Sequence, residues 1–346
     1  MHSMEILSDV CEPRPVDIAV LIPCYNEEMS IGREVVEFRA ALPNATIYVY
    51  DNNSQDNTVE VAKTAGAVVR HERIQGKGNV VQRMFADIEA DVYVLVDGDG
   101  TYDPKDAPRL VWYLLEHRLD LVNGLRNGAH DRTGHRLGNE IFNRIVGWTF
   151  GNNFCDMLSG YKVFSRRFVK SFPLLATGFE IETELTIHAL HLKMPVAELS
   201  TSYGSRCEGS ASKLRTVHDG IRILWTIFKM IKQERPLAFF SAVCAILVAT
   251  SLFLSLPLVV SYFETGSATT AHRLPTAVLA TGMMVLAFLS LACGLILDTV
   301  TRGRVEMKRL HYLNLRCAAG QVGRHTVVNE MGRETVLHDQ ASRVAA

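Results

Sequence analysis

"VLVDGDGTYDP", residues 94–104, holds the key to the fold. An apolar run, Val94 to Val96, stops at three closely spaced carboxylates, Asp97, Asp99 and Asp103, with Gly98 and Gly100 between them. The longer run "DVYVLV" reads as a buried strand. Two carboxylates one residue apart repel each other unless a cation joins them. A hard divalent ion, Mg2+ or Mn2+, bound by one or two carboxylates and completed by phosphate oxygens fits that need. Glycines beside the acids let a bulky phosphate approach the backbone. The strand is expected to end there in order to hold a metal–diphosphate.

The same plan recurs upstream. "DIAVLIPCYNEE" predicts a buried strand over 17–22, a polar loop, and a helix from Ser30 to Leu42. "ATIYVYDNNSQDNT" predicts a strand over 46–50, a second polar loop and a helix from Thr58. "GAVVRHE" is a short third strand, Lys77 to Ala90 reads as helix, and "DVYVLVDGD" is the fourth strand. Strands alternating with helices predict an α/β fold with a mainly parallel sheet. Ligands of such sheets bind beyond the carboxyl ends of the strands. Here those ends carry Tyr25-Asn26-Glu27, Asp51-Asn52-Asn53 and Asp97-Gly98-Asp99, three polar clusters on one edge. No Gly-x-Gly-x-x-Gly follows the first strand and no GxxxxGK[ST] is present, which argues against a dinucleotide fold and a P-loop NTPase. "GKGNVV", 76–81, is open to two readings, a phosphate loop or a surface turn leading into a helix.

Composition narrows the class. With 36 basic and 37 acidic residues the net charge is −1, so no global field points to nucleic acid. The seven cysteines are scattered without a CxxC pair, which disfavours a zinc site or disulfide framework and suits a reducing cytosolic setting. The N-terminal stretch lacks the apolar core of a signal peptide. Near residue 236 the composition changes: 237–263 and 274–297 contain no charged residue. Each exceeds the roughly 20 residues that span a bilayer. Arg222, Lys229, Lys232 and Arg235 precede the first segment, and Arg302, Arg304, Lys308 and Arg309 follow the second. The positive-inside rule then places both ends in the cytoplasm.

Taken together, "IPCYNEE", "DNNSQDNT", "DGDGTYDP", "SGYKVFSRR" and "GFEIETEL" resemble, in order and spacing, the family-2 glycosyltransferases of GT-A fold. Within them the chain is similar to dolichol-phosphate mannose synthases and other polyprenyl-phosphate glycosyltransferases, over about residues 16–235. The resemblance implies a division into a flexible N-terminus (1–15), a GT-A domain (16–213), an amphipathic interface helix (214–235), two membrane helices (236–298) and a cytosolic tail (299–346).

The resemblance also implies roles. Pro23, Tyr25 and Glu27 would line the nucleobase and ribose pocket, with Asp51 on the base. Asp97 and Asp99 match the metal-binding motif, Asp99 as the direct ligand and Asp97 on the nucleotide side. Arg206 and Lys213 match basic residues that close over the donor diphosphate. Arg126 matches an arginine at the acceptor phosphate, with Arg136 the second choice. "DMLSGYKVF" matches an Asp-Pro-x-Ser-Gly segment with Met157 in place of proline, and Glu180 and Glu182 match an acidic motif near the donor sugar. Asp156 or Glu180 would touch the sugar or assist as a base. The stretch 130–150, with Leu137, Ile141, Ile145 and Trp148 at helical spacing beside arginines, is either an interfacial helix on the membrane or a solvated helix packed on the domain.

The implied reaction is inverting transfer of a sugar from a UDP- or GDP-sugar to a polyprenyl phosphate, with homo-oligomers plausible. Three alternatives stand beside it: a glycosyltransferase acting on a lipid or glycan hydroxyl, a processive polysaccharide synthase, and a non-catalytic nucleotide-binding scaffold. Processive synthases carry a Gln-x-x-Arg-Trp motif, and none of the three tryptophans here follows an arginine.

Overall fold

The computed structural model describes residues 15–127, 155–173, 181–204, 232, 235–265 and 274–315. The chain divides into two compact units, Met1–Lys213 with His311–Ala346, and Leu214–Leu310.

The first unit is built on a seven-stranded sheet. Its strands are β1 (Ile18–Cys24), β2 (Ala45–Asp51), β3 (Val68–His71), β4 (Val92–Leu95), β5 (Leu121–Asn127), β6 (Lys162–Ser165) and β7 (Val196–Ser202). The spatial order is β3-β2-β1-β4-β6-β5-β7. β1 is flanked in parallel by β2 and β4, with Cys24 opposite Asp51 and Leu21 opposite Leu95. That register delivers the polar ends of three strands to one edge. β6 runs antiparallel between β4 and β5, and β5 pairs in parallel with β7. The mainly parallel expectation holds, with β6 as the exception.

Helices α1 (Ile31–Ala41), α2 (Thr58–Thr64), α3 (Lys77–Asp87), α4 (Ala107–Glu116), α5 (Arg166–Ser171) and α6 (Ile181–His191) cover the sheet, and a 3-10 turn, Pro104–Asp106, precedes α4. Strand side chains alternate between two buried faces, as in central strands covered on both sides. Val20, Ile22, Val49, Val94 and Val163 pack with Val35 and Phe38 of α1 and Leu110 and Leu114 of α4. On the opposite face Phe85 of α3 meets Tyr93, Phe164 and Phe172 edge-on, and Phe164 stacks on Phe168. α3 stops at Asp87, short of the expected Ala90. The Tyr93 hydroxyl takes the Ala90 N–H at 2.9 Å, and Lys170 donates to the carbonyls of Phe85 and Ile88 at 3.0 Å, closing the helix end.

One buried group in α1 stands apart. Neither carboxylate oxygen of Glu34 has a hydrogen-bond partner, nor does the Tyr161 hydroxyl. Burial, with the charge of Glu37 adding to it, pushes the Glu34 carboxyl up to about 8.

The second unit contains α7 (Pro236–Thr265), while α8 (Leu274–Asn314) begins in it and ends in the first unit. Both helices are long and apolar enough to cross a membrane. They pack antiparallel: Ser251 donates to the Ala280 carbonyl at 2.8 Å and Ser290 to that of Phe240 at 3.2 Å. Gly294 permits the approach, since a Cβ there would lie 2.8 Å from Cβ of Phe240. Small and hydroxylic residues at such contacts are what apolar helices use where lipid removes the hydrophobic drive. "RVEMKRLHYLN", in the basic stretch after the second apolar segment, is helical and forms the last part of α8, with Arg302 paired to Asp298 at 2.8 Å one turn back. Tyr312 is buried in the first unit, its hydroxyl donating to Asp120 at 2.5 Å and its ring 4.3 Å beneath Arg167.

Candidate active site

Two loops lock together at the ends of β1 and β2. Asn26 takes a left-handed conformation with φ 51°, which asparagine tolerates. Its N–H donates to Ser54 Oγ at 2.9 Å and its side chain accepts from Gln55 at 2.8 Å. The Glu27 N–H donates to Thr58 Oγ1 at 2.8 Å, and the Glu27 carbonyl accepts from Ser30 and Ile31 at the start of α1. Asp51 is buried and accepts from the N–H groups of Asn53 and Ser54, with His71 Nδ1 3.2 Å from Oδ2. Pro23 and Tyr25 are half-buried at the same edge.

Asn52 carries the construction to the next strand. Its amide donates to the carbonyls of Glu72 and Ile74 at 2.9 and 2.8 Å and accepts from Gly76 N–H at 2.7 Å. This fixes the start of α3, and with it Lys77. The Lys77 ammonium, only 10% exposed, bridges Asp97 and Glu182. Burial disfavours its charge, yet the two carboxylates hold it well above the usual lysine range. Burial, opposed by Lys77 and reinforced by the charge of Asp97, raises Glu182. The sequence left "GKGNVV" open between a phosphate loop and a surface turn, and the structure puts its lysine inside the acidic cluster.

The acid turn itself is tightly fitted. Ser30 Oγ donates to the Gly98 carbonyl at 2.6 Å, joining α1 to the turn. Asp99 Oδ1 accepts from Thr101 N and Oγ1 at 3.2 and 2.6 Å. A Cβ on Gly160 would lie 2.2 Å from Asp97 Oδ2, so only glycine leaves that carboxylate its place. The Gly160 N–H in turn donates to the Tyr102 hydroxyl at 2.8 Å. Among the described residues no three His, Cys, Asp or Glu side chains form a ready metal cage. Asp97 and Asp99 thus offer the one or two hard oxygen ligands that suit an ion arriving with phosphates.

Across Tyr102 lies a second charged group. Arg126, near the end of β5, donates through Nε and Nη2 to Asp156 at 2.6 and 2.7 Å, a two-pronged pair. It lies 5.6 Å from the Tyr203 ring centroid. Burial works against its charge, but Asp156 holds it above even the ordinary arginine range. Glu198 of β7 braces the turn, accepting from Asn123 at 2.9 Å and from the N–H groups of Cys155 and Asp156 at 2.7 and 3.2 Å.

A family model described as glycosyl transferase family 2 matches residues 19–172. Glycosyltransferase AglJ of Haloferax volcanii is 34% identical over 249 residues, covering 70% of this chain and 82% of that protein. The chain belongs to glycosyl transferase family 2. A second relative, the dolichyl-phosphate hexose transferase of Haloferax volcanii, is 28% identical over 223 residues, 63% of this chain and 96% of that one. Among solved structures, glucosyl-3-phosphoglycerate synthase from Mycobacterium tuberculosis, in complex with Mn2+, uridine-diphosphate and phosphoglyceric acid, superposes with a TM-score of 0.53. It covers 63% of this chain and 78% of its own at 21% identity, a likeness that establishes the shared GT-A fold.

In this family-2 enzyme the structure gathers Pro23, Tyr25, Glu27, Asp51, Asp97 and Asp99 at one sheet edge, with Arg126 and Asp156 paired beyond Tyr102. Arg136, Glu180, Arg206 and Lys213 lie outside the described residues. Glu182, two positions from Glu180, is the acid of that motif seen to reach Asp97 through Lys77. Lys77, Asn123, Lys162 and Glu198 were not singled out as site residues from the sequence. Lys77 stands in the "GKG" turn that opens a helix and Lys162 inside the "SGYKVFSRR" motif, whereas Asn123 and Glu198 become legible only through their long-range partners.

Proposed function

We propose that this glycosyltransferase moves a hexose from a UDP- or GDP-sugar to a polyprenyl phosphate at the cytoplasmic face of a membrane, with inversion at the anomeric carbon. The observation that carries the reading is one sheet edge holding both an Asp97–Lys77–Glu182 cluster and an Arg126–Asp156 pair, in a chain with two long apolar helices. The dolichyl-phosphate hexose transferase relative supports the acceptor class, and the Mn2+ and uridine-diphosphate of the structural neighbour support the donor and metal. The basic flanks of the apolar segments support the cytoplasmic placement.

The chemistry asks for alignment and charge neutralisation. A phosphate monoester has its second pKa near 6, so the acceptor is largely dianionic at neutral pH and needs no strong base. Asp97 and Asp99 are the side chains that would hold Mg2+ or Mn2+, which when bound neutralises charge on the departing diphosphate. Lys77, kept protonated by its two carboxylates, is a fixed cation beside them. Asp51, in its loop cradle, accepts an N–H from the base, and Pro23, Tyr25 and Glu27 wall the nucleoside. Asp156 presents the Arg126 guanidinium in one plane, ready for acceptor phosphate oxygens. Arg136 would supply further charge on the acceptor, Arg206 and Lys213 on the donor diphosphate, and Glu180 would lie near the sugar.

The test is a panel of radiolabelled UDP- and GDP-sugars incubated in detergent with undecaprenyl or dolichyl phosphate, with Mn2+ or with chelator. A lipid-soluble labelled product from one donor, abolished by chelator and by Asp99→Ala, is expected. Donor turnover that ignores both chelator and Asp99→Ala overturns the assignment.

A further inference from the structure

Beneath the paired arginine lies a lysine that the mechanism above leaves unused. Lys162 opens β6 and is fully buried, at 0% exposure. An isolated ammonium in such a place is costly. Here it has three hydrogen-bond acceptors, one for each of its protons: Asn123 Oδ1 at 2.6 Å, Thr186 Oγ1 at 3.2 Å and the Met157 carbonyl at 3.3 Å.

Two of the acceptors lead to the arginine side of the site and the third to the acidic side. Asn123 lies on β5 three residues before Arg126, and its amide donates to the Asp156 carbonyl at 2.7 Å and to Glu198. Met157 follows Asp156 in the turn that holds the arginine. Thr186 lies one turn beyond Glu182 on α6 and donates to the Glu182 carbonyl at 3.0 Å. Through Glu182 that path continues to Lys77 and Asp97.

We propose that Lys162 is a positioning residue for the transfer reaction: its ammonium ties the Arg126–Asp156 side of the site to the Glu182–Lys77–Asp97 side. The inference rests on those two groups belonging to the transfer site, as argued above. A neutral amine keeps only two protons for three acceptors. If its lone pair then takes the Thr186 hydroxyl, the bond from Thr186 to the Glu182 carbonyl is lost instead. Either way the network that joins the two sides loses one of its hydrogen bonds. The charged groups acting on Lys162 are Asp156 in the preceding turn, Glu182 of α6, Glu198 of β7 and Arg126 of β5. Burial outweighs the three carboxylates and lowers the lysine to about 8, while Arg126 adds to the lowering. Its charge is therefore set to change just above neutral pH.

The experiment is the pH profile of kcat, from pH 6 to 10, with the donor found in the panel above and undecaprenyl phosphate. The wild-type profile is expected to fall with a midpoint near pH 8. Lys162→Arg, whose charge persists, moves that fall up by more than one pH unit. Lys162→Met, which leaves buried acceptors unmatched, lowers kcat about tenfold at pH 7 and shows no fall near pH 8. If the variants do not fold, the wild type still decides. An amine midpoint drops clearly on warming, whereas that of a carboxylate hardly moves. A flat wild-type profile from pH 7 to 9, a midpoint insensitive to temperature, or folded variants that keep the wild-type fall each overturn the proposal. Arg126→Ala, run in parallel, separates the two levels. Its full activity would remove the site reading itself, while its loss together with any of those results would remove the Lys162 proposal alone.

Discussion

Replacing Glu34 with glutamine should stabilise the protein, and by an amount that depends on pH. Glu34 is 1% exposed in α1, neither oxygen has a hydrogen-bond partner, and burial raises its carboxyl from 4.5 to about 8. The folded state therefore keeps a proton that the unfolded chain releases. Below pH 4.5 both states hold it and Glu34 imposes no penalty. From there to pH 8 the folded state binds more protons than the unfolded one, so stability falls as pH rises. At about 1.4 kcal/mol per unit, the loss reaches about 3 kcal/mol at pH 7 and about 5 kcal/mol above pH 8. Glutamine needs no proton, so Glu34→Gln should recover up to that amount, near zero at pH 4.5 and growing to pH 8. At pH 7 this corresponds to a rise in Tm of roughly 6–12 °C for a domain of this size. The assay is thermal unfolding of the detergent-solubilised chain, followed by tryptophan fluorescence at pH 5, 7 and 8. A Tm difference that is the same at pH 5 and pH 8, or a variant less stable than wild type at pH 8, would refute the reasoning.

Three further predictions concern the site and its supports. Lys77→Met leaves Asp97 and Glu182 without their shared cation, which should destabilise the fold by about 3 kcal/mol and weaken UDP or GDP binding more than tenfold. Without the lysine Glu182 is raised further, so in denaturant titrations the variant should lose more stability at pH 8 than at pH 5. Gly160→Ala drives a methyl into Asp97 Oδ2 and should abolish transfer while a melt still shows a folded domain; wild-type turnover would mean Asp97 is free to move. Tyr312→Phe removes the hydroxyl bonded to Asp120 and should cost about 2 kcal/mol in chemical denaturation, a bond to a charged acceptor being stronger than average.

Much of the fold is written in local pattern. The continuous apolar runs of β1, β2 and β4, each ending in polar residues, announce buried parallel strands and the edge at which ligands bind. β6 is less legible, being four residues whose antiparallel place between β4 and β5 is set by partners far along the chain. The site divides the same way. Asp97 and Asp99 stand out because two acids close a strand together. Lys77 and Glu182 mean little until they meet across 105 positions, and Lys162 looks like an ordinary strand lysine until three acceptors surround it. α8 outruns its apolar segment, since hydropathy marks where the apolar residues stop and not where the helix does.

The most direct test of the central claim compares two acceptors that differ only in the phosphate. The labelled donor sugar that the enzyme turns over is offered with Mn2+ to undecaprenyl phosphate and, separately, to undecaprenol. The account predicts a labelled lipid from the phosphate alone, with Arg126→Ala and Asp99→Ala both inactive. Transfer to the free alcohol with none to the phosphate would contradict it.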